Sequence, residues 1–381
     1  MSLNQVQITG DSRKVIRLIC VTWFITKLIC FKLWLADRLF PLIPVNDLLT
    51  ALPSFVHNTC FVVSLASMLL LIFFPGKKIA LVLLLAEIFS CLLDQNRWQP
   101  WEYQFTWMLA VYIFAKATSE LHFLWQLILA GIYFFSGISK LNSAFIHDIW
   151  QNLMLRRWLH VNAIHSLVTY TGYLLPMIEM LAGIGLLLDK TRKLSVWILI
   201  SMHVIILLML GPIGLNINKV VWPWNLLMLL LLYLLFYKGS FQFRKLIFMK
   251  PAVWLLLLCW WVLPWLQLAG YWDKYLSSVL YAGGVEQLYI CTSDPRATKD
   301  MAVYLDKEFK IIPCKPLISA YKWGVIEINT SPYPEPRIYN AIIRAWRKRY
   351  PNTTDKFYLY KPGFAPTVKE VLIQYPAYQQ P

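Results

Sequence analysis

Nine mostly apolar stretches, most of them near the roughly 20-residue length that carries a helix across a ~30 Å hydrocarbon layer, leave this chain one plausible class of fold. They cover residues 15–36, 59–74, 79–93, 105–115, 122–139, 167–188, 194–211, 222–237 and 252–270, the third and fourth being short. Only 15% of the 381 residues are charged and 58% are hydrophobic, whereas a soluble domain is about a quarter charged. A single soluble core cannot absorb that much apolar surface. The expectation is an all-α polytopic membrane helical bundle of about nine spans over residues 1–270, followed by a small extramembrane α+β domain over residues 271–381.

The first stretch lacks a small-residue cleavage site and reads as a retained helix. Its Lys27 and Lys32 must snorkel, face protein or mark a tilt. Aromatic residues crowd the ends of the stretches, among them Trp98, Trp101, Tyr103, Trp222, Trp224, Tyr271 and Trp272, at the depth where amphipathic rings meet headgroups. Alternate connections differ in charge. With the N-terminus cytoplasmic, the inner segments hold thirteen Lys or Arg, from Arg13 to Lys250, and the outer ones hold Arg38, Arg97, Lys140, Arg156, Arg157 and Lys219. The positive-inside rule and an odd number of spans then place the C-terminal domain outside. The net charge of +16 finds its partner in anionic lipid headgroups and calls for no nucleic acid.

From Tyr271 onward charges rise and short β-type stretches alternate with Pro and Gly. Strands are expected over 288–291, 310–312, 324–328 and 356–360, and helices over 296–308 and 335–349. The second helix carries Arg344, Arg347, Lys348 and Arg349, as a solvated helix end complementing its dipole or as an anion-binding patch. Five cysteines lie in the apolar stretches and behave as small hydrophobes. Cys291 and Cys314 both fall in the outer domain, where an oxidising compartment allows a disulfide between two expected strands.

Ionisable groups inside the spans cost a few kcal/mol each and need a partner or a purpose. Asp94 either caps an interfacial helix or pairs with Arg97. Lys140, which ends the fifth stretch, is a snorkelling lysine or a functional one, and Glu179 sits mid-span as an interhelical hydrogen-bonding group. His203 lies mid-span as a packing residue or a ligand-facing one. The connection from Gly211 to Asn225, with Asn216 and Trp222, needs burial in protein or contact with water. In the orientation above, Asp94, Lys140 and the Asn216–Asn225 connection fall at the outer face, with Glu179 and His203 about mid-depth. A cavity there, lined by an acid, a lysine, a histidine and aromatic rings, suits an amphipathic lipid-like ligand. No metal site is expected.

At these same segments the chain resembles the HTTM (horizontally transferred transmembrane) family, whose best-known member is the vitamin K-dependent gamma-carboxylase. Leu92-Leu93-Asp94 with Trp98 and Tyr103 resembles the family's Leu-Asp-x-x-x-Trp segment, and Tyr133 to Asn142 resembles its Tyr-Phe-x-x-Gly-x-x-Lys-Leu-Asp segment. The chain has Asn142 where the carboxylase has Asp, and its outer domain is far shorter. Pro176-Met177-Ile178-Glu179 with Gly183 and Gly185 is similar to DoxX-type membrane proteins, some of them linked to quinones.

The resemblance implies a carboxylase-like or quinone-linked enzyme, formally a lyase, with Lys140 as general base, His203 as its hydrogen-bonding partner and Asp94 in support. Trp98, Glu179, Asn216 and Trp222 would border a quinone, either menaquinone or a vitamin K-like hydroquinone. An extracytoplasmic protein is a further candidate substrate, and a bacterial inner membrane with a periplasmic C-terminal domain the expected location. The competing classes are a non-catalytic scaffold or lipid-binding protein and, with less support because no two-fold repeat is seen, a transporter.

Overall fold

The computed structural model describes residues 10–239, 251–351 and 354–371. All nine apolar stretches are largely helical. They form α1 (Gly10–Ile29) with the short α2 (Phe31–Trp34), α3 (Ser54–Phe73), α4 (Lys77–Leu93), α5 (Pro100–Phe114) and α6 (Thr118–Ser139). Beyond a 14-residue π-helix, Phe145–Trp158, come α7 (Ser166–Thr171), α8 (Leu174–Gly185), α9 (Arg192–Leu210), α10 (Val221–Leu232), α11 (Pro251–Leu257) and α12 (Leu263–Gln267). Among the described residues, four segments, Ser54–Phe73, Thr118–Ser139, Ser166–Gly185 and Arg192–Leu210, are long and apolar enough to cross a membrane. The first expected span breaks at Cys30, whose backbone leaves the helical region. Part of the expected inner charge, Arg244, Lys245 and Lys250, lies outside the described residues.

The helices alternate in direction. At one end Arg17 reaches the carbonyl of Phe73 (3.4 Å), Lys77 that of Ala115 (2.6 Å), and Ser12 meets His122 (3.0 Å). The other end gathers the connections 35–53, 94–99, 140–165 and 211–220 beneath the C-terminal domain. There Asn142 donates to Ala282 O (3.0 Å), Tyr333 N to Asn96 Oδ1 (3.1 Å), Gly284 N to Asp148 (3.2 Å), and Asn218 bonds the Tyr281 hydroxyl.

α6 is the central helix: 83% of its apolar window is buried in protein, against 28–33% in the other three long segments. Those three turn residues such as Phe55, Phe73 and Leu167 outward, the surface a lipid-facing helix presents. α6 and α8 approach until their backbones touch. A Cβ on Gly137 would stand 2.5 Å from Met180 N, and one on Gly183 would stand 2.7 Å from Phe134 N. Such close backbone approach through small residues is how helices associate where lipid removes the hydrophobic drive. Gly137→Val is therefore expected to destabilise the protein by about 1–3 kcal/mol in thermal melts of the purified protein. Gly76→Ala, where the nearest atom is 3.7 Å away, should melt unchanged.

The C-terminal domain is an antiparallel sheet in the order β2-β1-β3-β4, built from β1 (Gln287–Cys291), β2 (Leu317–Ser319), β3 (Lys356–Lys361) and β4 (Thr367–Glu370). It is accompanied by α13 (Pro295–Asp300), α14 (Ala320–Ile328) and α15 (Pro336–Arg349). Residues 324–328, expected as a strand, belong to α14. Ser319 caps its start by accepting from Lys322 N (3.3 Å), Asn329 ends it in the left-handed region, and Trp323, Glu327 and Ile328 supply its buried face. Residues 310–312 form no strand, and the helix expected over 296–308 stops at Asp300, followed by a single 3₁₀ turn. The pairing segments that sequence reading missed are the three-residue β2 and the exposed β4. Cys291 and Cys314 form a disulfide (Cα–Cα 6.0 Å), but Cys314 sits in a loop, not on a strand. α15 starts at Pro336 and ends on Arg347, Lys348 and Arg349, as expected for that helix.

Candidate functional site

The polar residues divide into two separate clusters, where one shared cavity was expected. The first lies between α6, α8, α9 and α10. Lys140 caps the C-terminus of α6, and its ammonium donates to Glu179 Oε2 (2.7 Å), Glu179 Oε1 (3.0 Å) and Ser136 Oγ (2.7 Å). The pair is nearly closed to solvent, with side-chain exposures of 13% and 8%. Seven residues earlier on the same helix, Tyr133 OH meets His203 Nε2 (2.8 Å), and His203 Nδ1 meets Asn225 Oδ1 (2.7 Å). Asn225 in turn donates to Val221 O (2.7 Å).

The spacing explains the grouping. Tyr133, Ser136, Gly137 and Lys140 fall at i, i+3, i+4 and i+7 of one helical face, the face that Gly137 presses onto α8 beside Glu179. Asn142 fixes the helix end by donating to Ser139 O (2.8 Å) and accepting from Phe145 N (2.9 Å). Lys140 and Glu179 are thus direct partners, while His203, expected to hydrogen-bond Lys140, bonds Tyr133 and Asn225 two turns along the same helix. Sequence reading passed over Tyr133, although its i−7 relation to Lys140 was visible.

Asp94 belongs elsewhere. It caps a 3₁₀ turn through Asn96 N (3.1 Å), accepts from Ile43 N (3.2 Å) and Asn96 Nδ2 (3.0 Å), and bonds the Arg38 guanidinium. Arg97 is a more distant partner at 4.0 Å. Counted above as an outer-loop charge, Arg97 is fully buried and donates to Leu33 O, Trp34 O, Ser90 O and Ser90 Oγ (2.9–3.0 Å). This network ties α2, α4 and the 35–45 segment to the C-terminal domain, because Glu327 of α14 accepts from the backbone of Leu39 and Phe40.

Asn216 is exposed and turns the chain at positive φ, while Trp222 pins the same connection through its indole to Ile217 O (3.1 Å). Both shape the loop above the first cluster without touching Lys140.

Trp98 lines a cleft of about 280 Å³ at the junction of the helical bundle and the C-terminal domain, with Val45, Gln95, Tyr103, Asp273, Leu276, Tyr333 and Arg337. Its floor is aromatic: Trp98 lies edge-on to Tyr103, which stacks on Trp260 with centroids 5.0 Å apart. Its rim is charged. Arg337 donates to Asp273 (2.7 Å) and Gln95 (3.0 Å), and hydrogen bonding to Asp273 raises its pKa above the ordinary guanidinium value. Burial first, and the neighbouring Asp273 carboxylate second, push the Tyr333 phenol well above the usual phenol range. The cleft can take an amphipathic group, with the ring stack against its apolar part and Arg337 against an oxygen.

Among the described residues, no three His, Cys, Asp or Glu gather as a metal-holding group. Fold and clusters together define a largely helical protein with four helices long and apolar enough to cross a membrane and a buried lysine–carboxylate pair. No family model, curated protein or solved structure matches the chain, so its class rests on these features.

Proposed function

We propose that the chain is a membrane protein of about nine spans, HTTM-like in character. In this reading it carries out acid–base chemistry on a quinone or vitamin K-like hydroquinone reached from the bilayer. Its N-terminus is cytoplasmic and its C-terminal domain periplasmic in a bacterial inner membrane. The observation that carries this reading is Lys140 held against Glu179 and Ser136, two turns from the Tyr133–His203–Asn225 chain.

A lysine acts as a base only after losing its proton. In a dry site, passing that proton to Glu179 removes two charges at once, so the step escapes the desolvation that penalises either ion alone. The free amine of Lys140 can then accept a phenolic proton, while the Tyr133–His203–Asn225 chain holds the adjoining turns of the site in place. The aromatic cleft at Trp98 fits as an interfacial seat for the ligand, and Asp94 supports the frame.

The test is mass spectrometry of lipids extracted from protein purified in mild detergent. An isoprenoid quinone near one per chain is expected, and a clean absence would sink the quinone reading. The second reading, a lipid-binding scaffold, is favoured by one observation: the polar atoms of Lys140, Glu179 and His203 already find partners inside the protein. It predicts bulk phospholipid alone in the extract.

A further inference from the structure

Deep between α1, α4 and α5 lies a third set of ionisable groups, one that the Lys140 site does not use. Lys27 Nζ donates to Glu87 Oε2 (2.8 Å) and lies over the ring of Trp34, 2.9 Å from its centroid. Glu102 Oε2 accepts from the indole of Trp23 (2.7 Å). All three charged residues are 0% exposed. Each acid thus uses one oxygen, while Glu87 Oε1 and Glu102 Oε1 are buried and find no donor among the described residues.

An ionised carboxylate only accepts, so two buried oxygens that lack a donor are satisfied together when one acid carries a proton and donates it to the other. Charge balance agrees: one ammonium faces two acids, and an unanswered buried carboxylate is expensive. The other charged groups nearby do not answer it. Arg97 directs its N–H groups to carbonyls, Ser90 and His57, while Arg38 is engaged by Asp94. Cys30, Cys60 and Cys91, the remaining titratable neighbours, are buried thiols. We propose that Glu87 and Glu102 share one bound proton, making this cluster a proton-binding site independent of the Lys140 site. Glu102 carries the proton and hydrogen-bonds Glu87, which stays ionised against Lys27.

Infrared difference spectroscopy of the full chain in lipid nanodiscs at neutral pH reads this directly. Wild type minus Glu102→Gln should show the C=O band of one protonated carboxylic acid, shifting in D2O. Glu87→Gln should lose the same band, because Glu102 then ionises against Lys27. Lys27→Met should roughly double it, since neither acid keeps a counter-charge. Absence of the band in the difference spectrum, with Glu102→Gln folded by circular dichroism, would overturn the proposal. Sodium-dependent melting alongside that absence would assign the pair to a monovalent cation instead. If no variant folds, wild type labelled with ¹³C at the glutamate carboxyl decides alone: no protonated glutamic acid signal overturns the shared proton.

Discussion

Asp94→Ala is expected to lower the stability of the protein by about 3–5 kcal/mol, the cost of removing one member of a buried ion pair. The Asp94 and Arg38 side chains are both 0% exposed, so the orphaned guanidinium would stay in a water-poor site. Arg38 is also held by the carbonyls of Leu33 (2.6 Å), Phe40 (3.0 Å) and Lys32 (3.1 Å), which prevent it from swinging out to solvent. Loss of the Asp94 cap on the 95–97 turn adds a smaller term, typically ~1 kcal/mol. Asp94→Asn keeps acceptors for Ile43 N and Asn96 N but removes the charge, and should fall between wild type and Asp94→Ala. Thermal unfolding in detergent, followed by Trp fluorescence, measures both. A stably folded Asp94→Ala protein that lacks only activity would instead place Asp94 in the chemistry, and would show that the Arg38 pair contributes little to the fold.

What could be read from sequence follows the range over which each force acts. Apolar stretches and helix ends are local properties, so the helices and the start of α15 at Pro336 were legible. So were the individual polar residues, because each is anomalous in its own surroundings. Their partners were not, since partnership is a long-range fact: Lys27 and Glu87 are 60 residues apart, Lys140 and Glu179 are 39 apart, and Leu39 and Glu327 are 288 apart. Asp94 shows the consequence most clearly. In sequence it stands among site-like aromatic residues, and only the fold reveals Arg38 against it. Residues 324–328 failed for another reason. The β-branched and apolar run Val325-Ile326 suits a strand, but the Ser319 cap and the contacts of Trp323 and Glu327 outweigh that preference and make a helix. In β4, a sheet-edge strand whose four residues are all exposed, no apolar alternation announces the strand.

The Lys140–Glu179 pair should separate a structural role from a chemical one through a double-mutant cycle. Lys140→Met leaves Glu179 in a site where it is 8% exposed, and Glu179→Met leaves Lys140 at 13%. Each single variant is expected to lose about 3 kcal/mol, the lower end for a broken buried pair because the lysine keeps a little solvent. The double variant, with two thioether side chains of similar length filling the space, should recover most of that loss, because neither charge is then stranded. If the pair only held α6 to α8, the function of the double variant would return with its stability. If Lys140 accepts a proton from the ligand, stability returns while turnover does not, and bound quinone persists in the extract. Glu179→Asp sharpens the distinction: the shorter acid keeps the charge while lengthening the path to Nζ, so it should melt near wild type yet slow any step in which Lys140 must first give up its proton.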